Sequence, residues 1–388
     1  MQIDMDKINE IKVGIITKPI EKAGLVPLTN LIDIMHSFSK PIYVITGGQG
    51  INLIQRNYPD IFLIELQYSE KSNIILKIIN HINLEFNMSL KLIKSIKSPK
   101  EPSIWIFFLD THSFLLPVLA AKLLGKKVVF ALTASIKNSS KAKKSILPKI
   151  FIYSELLTYQ LSNRIIVYTP NLIKEWDLEK YRDKISVAHE HVLDFDNFKI
   201  TNKLSERDNL VGYFGRLSEE KGVLNFVQAI SLISNGRSNF KFIIGGDGHL
   251  QGKIEKYLSD NCLYGNSDLL GWIPHHELPG CLNELKLLVM PSFSEGLPNI
   301  MLEAMACGTP VLANSVGAIP CIIKDEETGF IMENNSPECI AANVIRALEH
   351  PDLEGIAKRA RALVESEFTF DKTVKLWGKI LEEVCNNR

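Results

Sequence analysis

The sequence predicts an α/β protein made of two doubly wound domains facing a central cleft. Three observations predict it. Strand-like apolar runs alternate with helix-like amphipathic runs through nearly all of the 388 residues, the pattern of parallel sheets covered by helices. The alternation lapses once, over "ISVAHEHVLDFDNFKITNKLSERDNL" (185–210), and then starts afresh. At roughly 100–200 residues per domain, the length also favours two domains.

The elements follow in order. "IKVGIIT" (11–17) reads as a buried first strand, followed by the loop "KPIEKAGLVP" and a helix near 28–38. "PIYVITGG" (41–48) and "SIWIFFLD" (103–110) are further strands, rich in β-branched and aromatic residues and closed by small or polar ones. A helix near 114–124 leads to the strand "KVVFAL" (127–132), and "NRIIVYT" (163–169) completes the set. The lapse at 185–210 reads as the interdomain linker. The second series is "LVGYFG" (210–215), "FKFIIGG" (240–246), "LLGWIP" (269–274), "LKLLVMPS" (285–292), "TPVLAN" (309–314) and "TGFIM" (328–332), with helices between and a last helix at about 371–385. The expected domains are 1–200, 201–368 and a C-terminal helical segment, 369–388, that returns to the first domain.

Composition narrows the class. Apolar residues make up 46% and charged residues 23%, as in an ordinary globular protein, and no run of about 18 uncharged apolar residues marks a membrane span. The start, "MQIDMDKINEIKVGII", lacks the basic-then-apolar layout of a secretory signal. All six cysteines lie in the second half without CxxC spacing, which argues against zinc or a disulfide frame and for a reducing cytoplasm. Net charge is zero, yet residues 1–200 carry 26 Lys+Arg against 19 Asp+Glu, and residues 201–388 carry 18 against 25. No nucleic-acid partner is expected. The basic first half suits an anionic acceptor or lipid headgroups. Attraction between the halves explains it as well.

The stretch "SEGLPNIMLEAMACGTPVLAN" (294–314) carries the chemistry. Pro298 suits a first helical turn, Gly308 the position after the helix, and Pro310 blocks continuation, so a short buried helix is predicted over about 298–307. Its amino end offers free N–H groups and partial positive charge, and Gly296 lets a ligand approach the backbone, which together make a phosphate site. Glu295 stands beside that site and Glu303 lies more than one turn deeper. Carboxylates accept hydrogen bonds from hydroxyls and do not bind phosphate. The pattern therefore fits a phosphate with hydroxyls on either side, as in a nucleotide-sugar. Taken alone, the spacing is better served by a helix-capping Glu295 and a charge-paired Glu303. "GYFGRLSEEKGV" (212–223) adds Arg216 and Lys221, a fork and a point charge suited to a diphosphate.

In this order the motifs "GRLSEEKG", "GGDGHL", "GWIP", "EGLPNIMLEAMACGTPVLAN" and "TGF" resemble a retaining glycosyltransferase of family 4, with the GT-B architecture of two Rossmann-like domains. The resemblance covers about 210–335. It implies that Arg216 and Lys221 hold the donor diphosphate, as catalytic groups as well as ligands. It places the nucleobase at the backbone of Trp272 and Ile273, and the ribose hydroxyls at Glu303. Glu295, as a catalytic group as well as a ligand, would meet the donor sugar together with the backbone of Gly296, Leu297, Pro298 and Asn299. The implied activity is sugar transfer with retention from a nucleotide-diphosphate-sugar to a glycan or lipid-linked acceptor, of hexosyltransferase type, with no cofactor and no metal. "FTFDKTVKLWGKILEEV" resembles the family's last helix.

The first half departs from that pattern. Only Gly24, expected to bind the donor, stands where the family carries a glycine-rich loop, and Thr133 stands where many members carry a histidine. His112 in "LDTHSF" is the nearest substitute, as a catalytic or a merely structural residue. "HEHVLDFDNF" replaces the usual asparagine-glycine pair, with His189 and His191 facing a cleft or packing. The missing histidine keeps two other functions in view: a nucleotide-sugar epimerase and a non-catalytic donor-binding partner subunit. "DFD" (194–196), "GGQG" and "GGDG" match metal-binding and dinucleotide fingerprints only in part. Finally, 71–100 is amphipathic, lysine-rich and helical by pattern, and 137–149 adds lysines. Both suit peripheral attachment to an anionic inner membrane face, or else a core-facing helix with a solvated lysine side.

Overall fold

The computed structural model describes residues 11–21, 24–48, 51–67, 74–95, 101–109, 111, 113–134, 147–234 and 239–386. The chain divides into two compact units, Met1–Val192 with Phe370–Arg388, and Leu193–Thr369.

Among the described residues, the first unit is built on seven parallel strands: β1 (Val13–Ile20), β2 (Tyr43–Gly48), β3 (Phe62–Leu66), β4 (Ile104–Phe108), β5 (Lys127–Ala131), β6 (Arg164–Val167) and β7 (Ile185–Val187). Their order is β3-β2-β1-β4-β5-β6-β7. The strands the sequence marks as apolar are the central ones. Val13, Ile15 and Ile16 of β1 and Ile104 and Ile106 of β4 are fully buried, each burial stabilising by about 1.5–3 kcal/mol. A Cβ at Gly14 would collide with the Trp105 ring of the neighbouring strand, so the glycine makes room for a fully buried tryptophan. Right-handed crossovers place the helices Leu25–His36 and Ile51–Asn57 on one face of the sheet. The same rule places Ile74–Ser95, Leu115–Leu123 and Leu147–Leu161 on the other.

The sequence pattern misses two strands, β3 and β7, and both are sheet edges. β3 exposes Phe62 and Glu65 instead of burying a continuous run, and β7 has three residues, none buried. The expected linker therefore begins inside the first unit. β7 pairs with β6, and Ala188 joins the core. The helix Phe370–Asn386 packs on Leu25–His36 in the same unit. Trp377 is fully buried there and its indole Nε1 donates to the His189 carbonyl at 2.9 Å, while Arg164 meets Glu383 at 3.1 Å.

The second unit holds six parallel strands, β8 (Leu210–Phe214), β9 (Lys241–Gly245), β10 (Ser267–Gly271), β11 (Leu287–Met290), β12 (Val311–Asn314) and β13 (Phe330–Met332), in the order β10-β9-β8-β11-β12-β13. The decisive helix runs Asn299–Ala306, with Pro298 at the N-cap rather than within the first turn. Met301 to Ala306 are all buried, and Gly308 follows at φ +67°, as its position predicts. The buried Arg207 guanidinium braces the far end. It donates to the carbonyls of Cys307 (2.8 Å) and Leu285 (2.8 Å) and to Thr309 Oγ1 (2.7 Å), a cation at a helix carboxyl end.

Candidate functional site

In the second sheet the strand order reverses at β8. The chain steps one way to β9 and β10, and the other way to β11, β12 and β13. Ligands of such sheets bind beyond the carboxyl ends of the strands at this switch point. The loops there are 215–222, after β8, and 291–298, after β11. Backbone bonds fix them: Phe293 N donates to Glu220 O at 2.9 Å, Leu217 N to Asp247 O at 2.7 Å, and Gly215 N to Gly245 O at 3.0 Å. Gly222 sits at φ +67° against the Pro291 carbonyl, where a side chain would collide. Gly317, at φ +60°, lies equally close to the Glu295 carbonyl, and Ala318 N donates to Gly296 O at 2.8 Å.

The side chains at these loops meet as follows. Lys221 Nζ lies 2.7 Å and 2.8 Å from the two carboxylate oxygens of Glu295. Glu295 is almost fully buried, while Lys221 is about a quarter exposed. Arg216 is exposed and 3.4 Å from Glu220. The Tyr213 hydroxyl donates to the Arg216 carbonyl at 2.8 Å. Burial holds its acidity far below that of an ordinary phenol, and the charges of Glu295 and Glu220 add to the effect. Leu297 is buried, Pro298 caps the helix, and Asn299 begins it.

Glu303 is held separately. Its side chain is buried within the helix, and Oε1 lies 2.8 Å from Nε2 of the half-exposed His275. That hydrogen bond raises the His275 pKa above its ordinary value against the cost of burial, with the Glu303 and Asp194 charges adding. His275 escaped the sequence reading, as did Tyr213. The paired histidines of "WIPHHELP", just beyond β10, were the available signal. Trp272 and Ile273 follow β10 directly; Trp272 is 47% exposed, and the Ile273 side chain packs over Gly245.

In the first unit, Gly24 occupies the N-cap of Leu25–His36, after β1. A Cβ there would lie 3.6 Å from Leu109, in the loop after β4, and β1 and β4 flank that sheet's own switch point. His112 lies outside the described residues. The structure therefore joins Lys221 to Glu295 and gives Arg216 and Glu303 partners of their own. Loops 215–222 and 291–298 thus carry two cations, the Glu295 carboxylate and the amino end of the helix Asn299–Ala306.

The fold is GT-B: two parallel-sheet, Rossmann-like α/β units. The HepE protein of Anabaena, solved with UDP, aligns over 96% of this chain and 100% of its own, with TM-score 0.75 and 16% identity. Sucrose-phosphate synthase of Thermosynechococcus elongatus aligns over 97% and 100%, with TM-score 0.76 and 16% identity. More particularly, residues 194–364, within the second unit, match the model of the family described as Glycosyl transferases group 1. The amylovoran biosynthesis glycosyltransferase AmsK of Erwinia amylovora is 27% identical over 196 residues, 49% of this chain and 48% of its own. The chain thus spans about half the length of that relative. The UDP-Gal:alpha-D-GlcNAc-diphosphoundecaprenol alpha-1,3-galactosyltransferase of Escherichia coli is 28% identical over 296 residues, 71% and 75% of the two chains.

Proposed function

We propose that the chain is a glycosyltransferase that moves a sugar from a nucleotide-diphosphate-sugar to a glycan or lipid-linked acceptor, with retention of anomeric configuration. The observation that carries the reading is the pairing of Lys221 with the buried Glu295 carboxylate at the switch point of the second sheet, beside the amino end of Asn299–Ala306. An ammonium has three N–H donors, so Lys221 can hold Glu295 and still donate to a phosphate oxygen. Arg216 adds a second cation on the same loop. Glu295 accepts from a sugar hydroxyl, and Glu303, oriented by His275, accepts from the ribose.

In the reaction the bond between the sugar C1 and the diphosphate oxygen breaks, and the acceptor oxygen bonds to C1 on the same face. The acceptor's proton passes to the departing diphosphate. Negative charge grows on that diphosphate as the bond breaks, and Lys221, Arg216 and the helix amides stabilise it without a metal ion. The relatives lend the donor class: one is named for UDP-galactose, and the Anabaena protein was solved with UDP.

The test is incubation with a panel of labelled nucleotide-sugars, with and without a lipid or glycan extract. Label transferred to the extract, with product and donor sharing anomeric configuration by NMR, is the expected result. A new nucleotide-sugar would indicate an isomerase instead, and binding without turnover a donor-binding subunit.

A further inference from the structure

Among the described residues, the helical layer formed by Ile74–Ser95, Leu115–Leu123 and Leu147–Leu161 leaves an apolar face exposed. Ile74–Ser95 packs on Leu115–Leu123, which packs on Leu147–Leu161. The first helix buries Leu84, Met88 and Leu92 and turns Leu76, Ile79, Ile82, Phe86, Leu90 and Ile93 outward, each 37–57% exposed. Steps of three and four residues keep these six on one stripe along the whole helix. Tyr153 and Leu157 on the third helix are exposed as well. Singly exposed apolar residues are ordinary, but a stripe of this length marks a contact surface.

Charge indicates what covers it. The three helices contain five lysines (77, 91, 94, 122 and 149) and only two acids, Glu85 and Glu155. Both acids point inward. Glu85 is buried and accepts from Leu116 N at 2.7 Å, and Glu155 is buried and accepts from the Tyr159 hydroxyl at 2.6 Å. Among the described side chains, the outward side of the first helix therefore presents apolar groups beside the exposed Lys94 and the partly exposed Lys91, and no carboxylate. A second copy of the chain docked face to face would set lysine against lysine. An anionic lipid surface answers both features, since headgroup phosphates meet the ammonium groups and the acyl boundary takes the leucines, isoleucines and phenylalanine. Among the described residues no helix is long and apolar enough to cross a membrane, so Ile74–Ser95 would lie in the plane of the interface.

We propose that this face of the first unit seats the protein on an anionic membrane surface. The inference rests on the first unit alone and does not depend on the chemistry of the second. It is tested by sedimenting the full chain with vesicles of phosphatidylcholine, with or without phosphatidylglycerol, at low and high salt. The expected result is binding to the anionic vesicles at low salt, weakened about tenfold or more by high salt or by omitting phosphatidylglycerol. The double change Phe86→Ser with Leu90→Ser should weaken it about tenfold. Lys91→Glu with Lys94→Glu should weaken binding to anionic vesicles and leave binding to phosphatidylcholine unchanged. All four side chains lie at least partly in solvent, so circular dichroism and melting temperature should hold. Equal, negligible binding to both vesicles would overturn the proposal. So would full binding by the Phe86/Leu90 variant, or a dimer that the same variant abolishes in a chain that does not bind vesicles.

Discussion

A buried carboxylate needs a cation, and Glu295 has one in Lys221 at 2.7 Å. In Lys221→Met the carboxylate keeps its burial and loses its partner. Stability should fall by roughly 1–3 kcal/mol, less than for a fully buried pair because Lys221 is partly in solvent. Adding Glu295→Gln should recover most of that stability. Sugar transfer should fall by about 10²–10³ in Lys221→Met and stay low in the double variant. Urea unfolding and steady-state kinetics separate the two effects; recovery of activity along with stability would reduce the pair to a structural role. His275 gives a pH signature. Its folded pKa lies above the unfolded value of about 6.5, so the stability it contributes is complete below that value and lost as pH rises through the folded one. The difference in melting temperature between the parent chain and His275→Ala should therefore be largest at acidic pH and narrow toward alkaline pH. A difference that is flat with pH would contradict this account.

At the scale of elements, the sequence is most informative where local chemistry decides. Pro298 and Gly308 bracket the helix Asn299–Ala306 because one cannot donate an N–H and the other tolerates φ +67°. The central strands were legible because they are buried on both faces and read as unbroken apolar runs. The edges β3 and β7 were not, since half-solvated strands of three to five residues lack that signal. Nor was the His275–Glu303 bond, which joins residues 28 positions apart through the return of the chain from β10 to the helix. Gly222 belongs between these cases. Its place in "EEKG" suggests a turn, but only the fold shows the Pro291 carbonyl against it. Gly222→Ala should cost about 1–2 kcal/mol from the positive φ alone, with the collision adding to it. Urea unfolding together with the donor KM would register the shifted loop as lower stability and a higher KM. Unchanged values would mean that loops 215–222 and 291–298 are not mutually braced.

At the scale of the whole molecule, the last helix belongs to the unit built by the start of the chain. Trp377, Ile380, Leu381 and Val384 share one core with Leu28 and Leu31, more than 340 residues earlier. Trp377→Ala should cost about 3–5 kcal/mol. Hydrogen exchange should quicken across the first unit while β8 to β13 keep their protection, because the lost contacts all lie on one side of the division of the chain. Uniform loss across both units would show that they unfold as one. The charge split between the halves follows the same division, with the lysine-rich helices in the first unit and Glu295 and Glu303 in the second.

The central claim is that the second unit holds the diphosphate of a nucleotide-sugar at the β8–β11 switch point. The most direct measurement is calorimetric titration of UDP and GDP into the full chain and into Lys221→Met and Glu303→Gln. Binding of one nucleotide to the parent, weakened about tenfold or more in each variant, is the expected result. Binding that is equally tight in all three proteins, or no binding of either nucleotide to the parent, would contradict it.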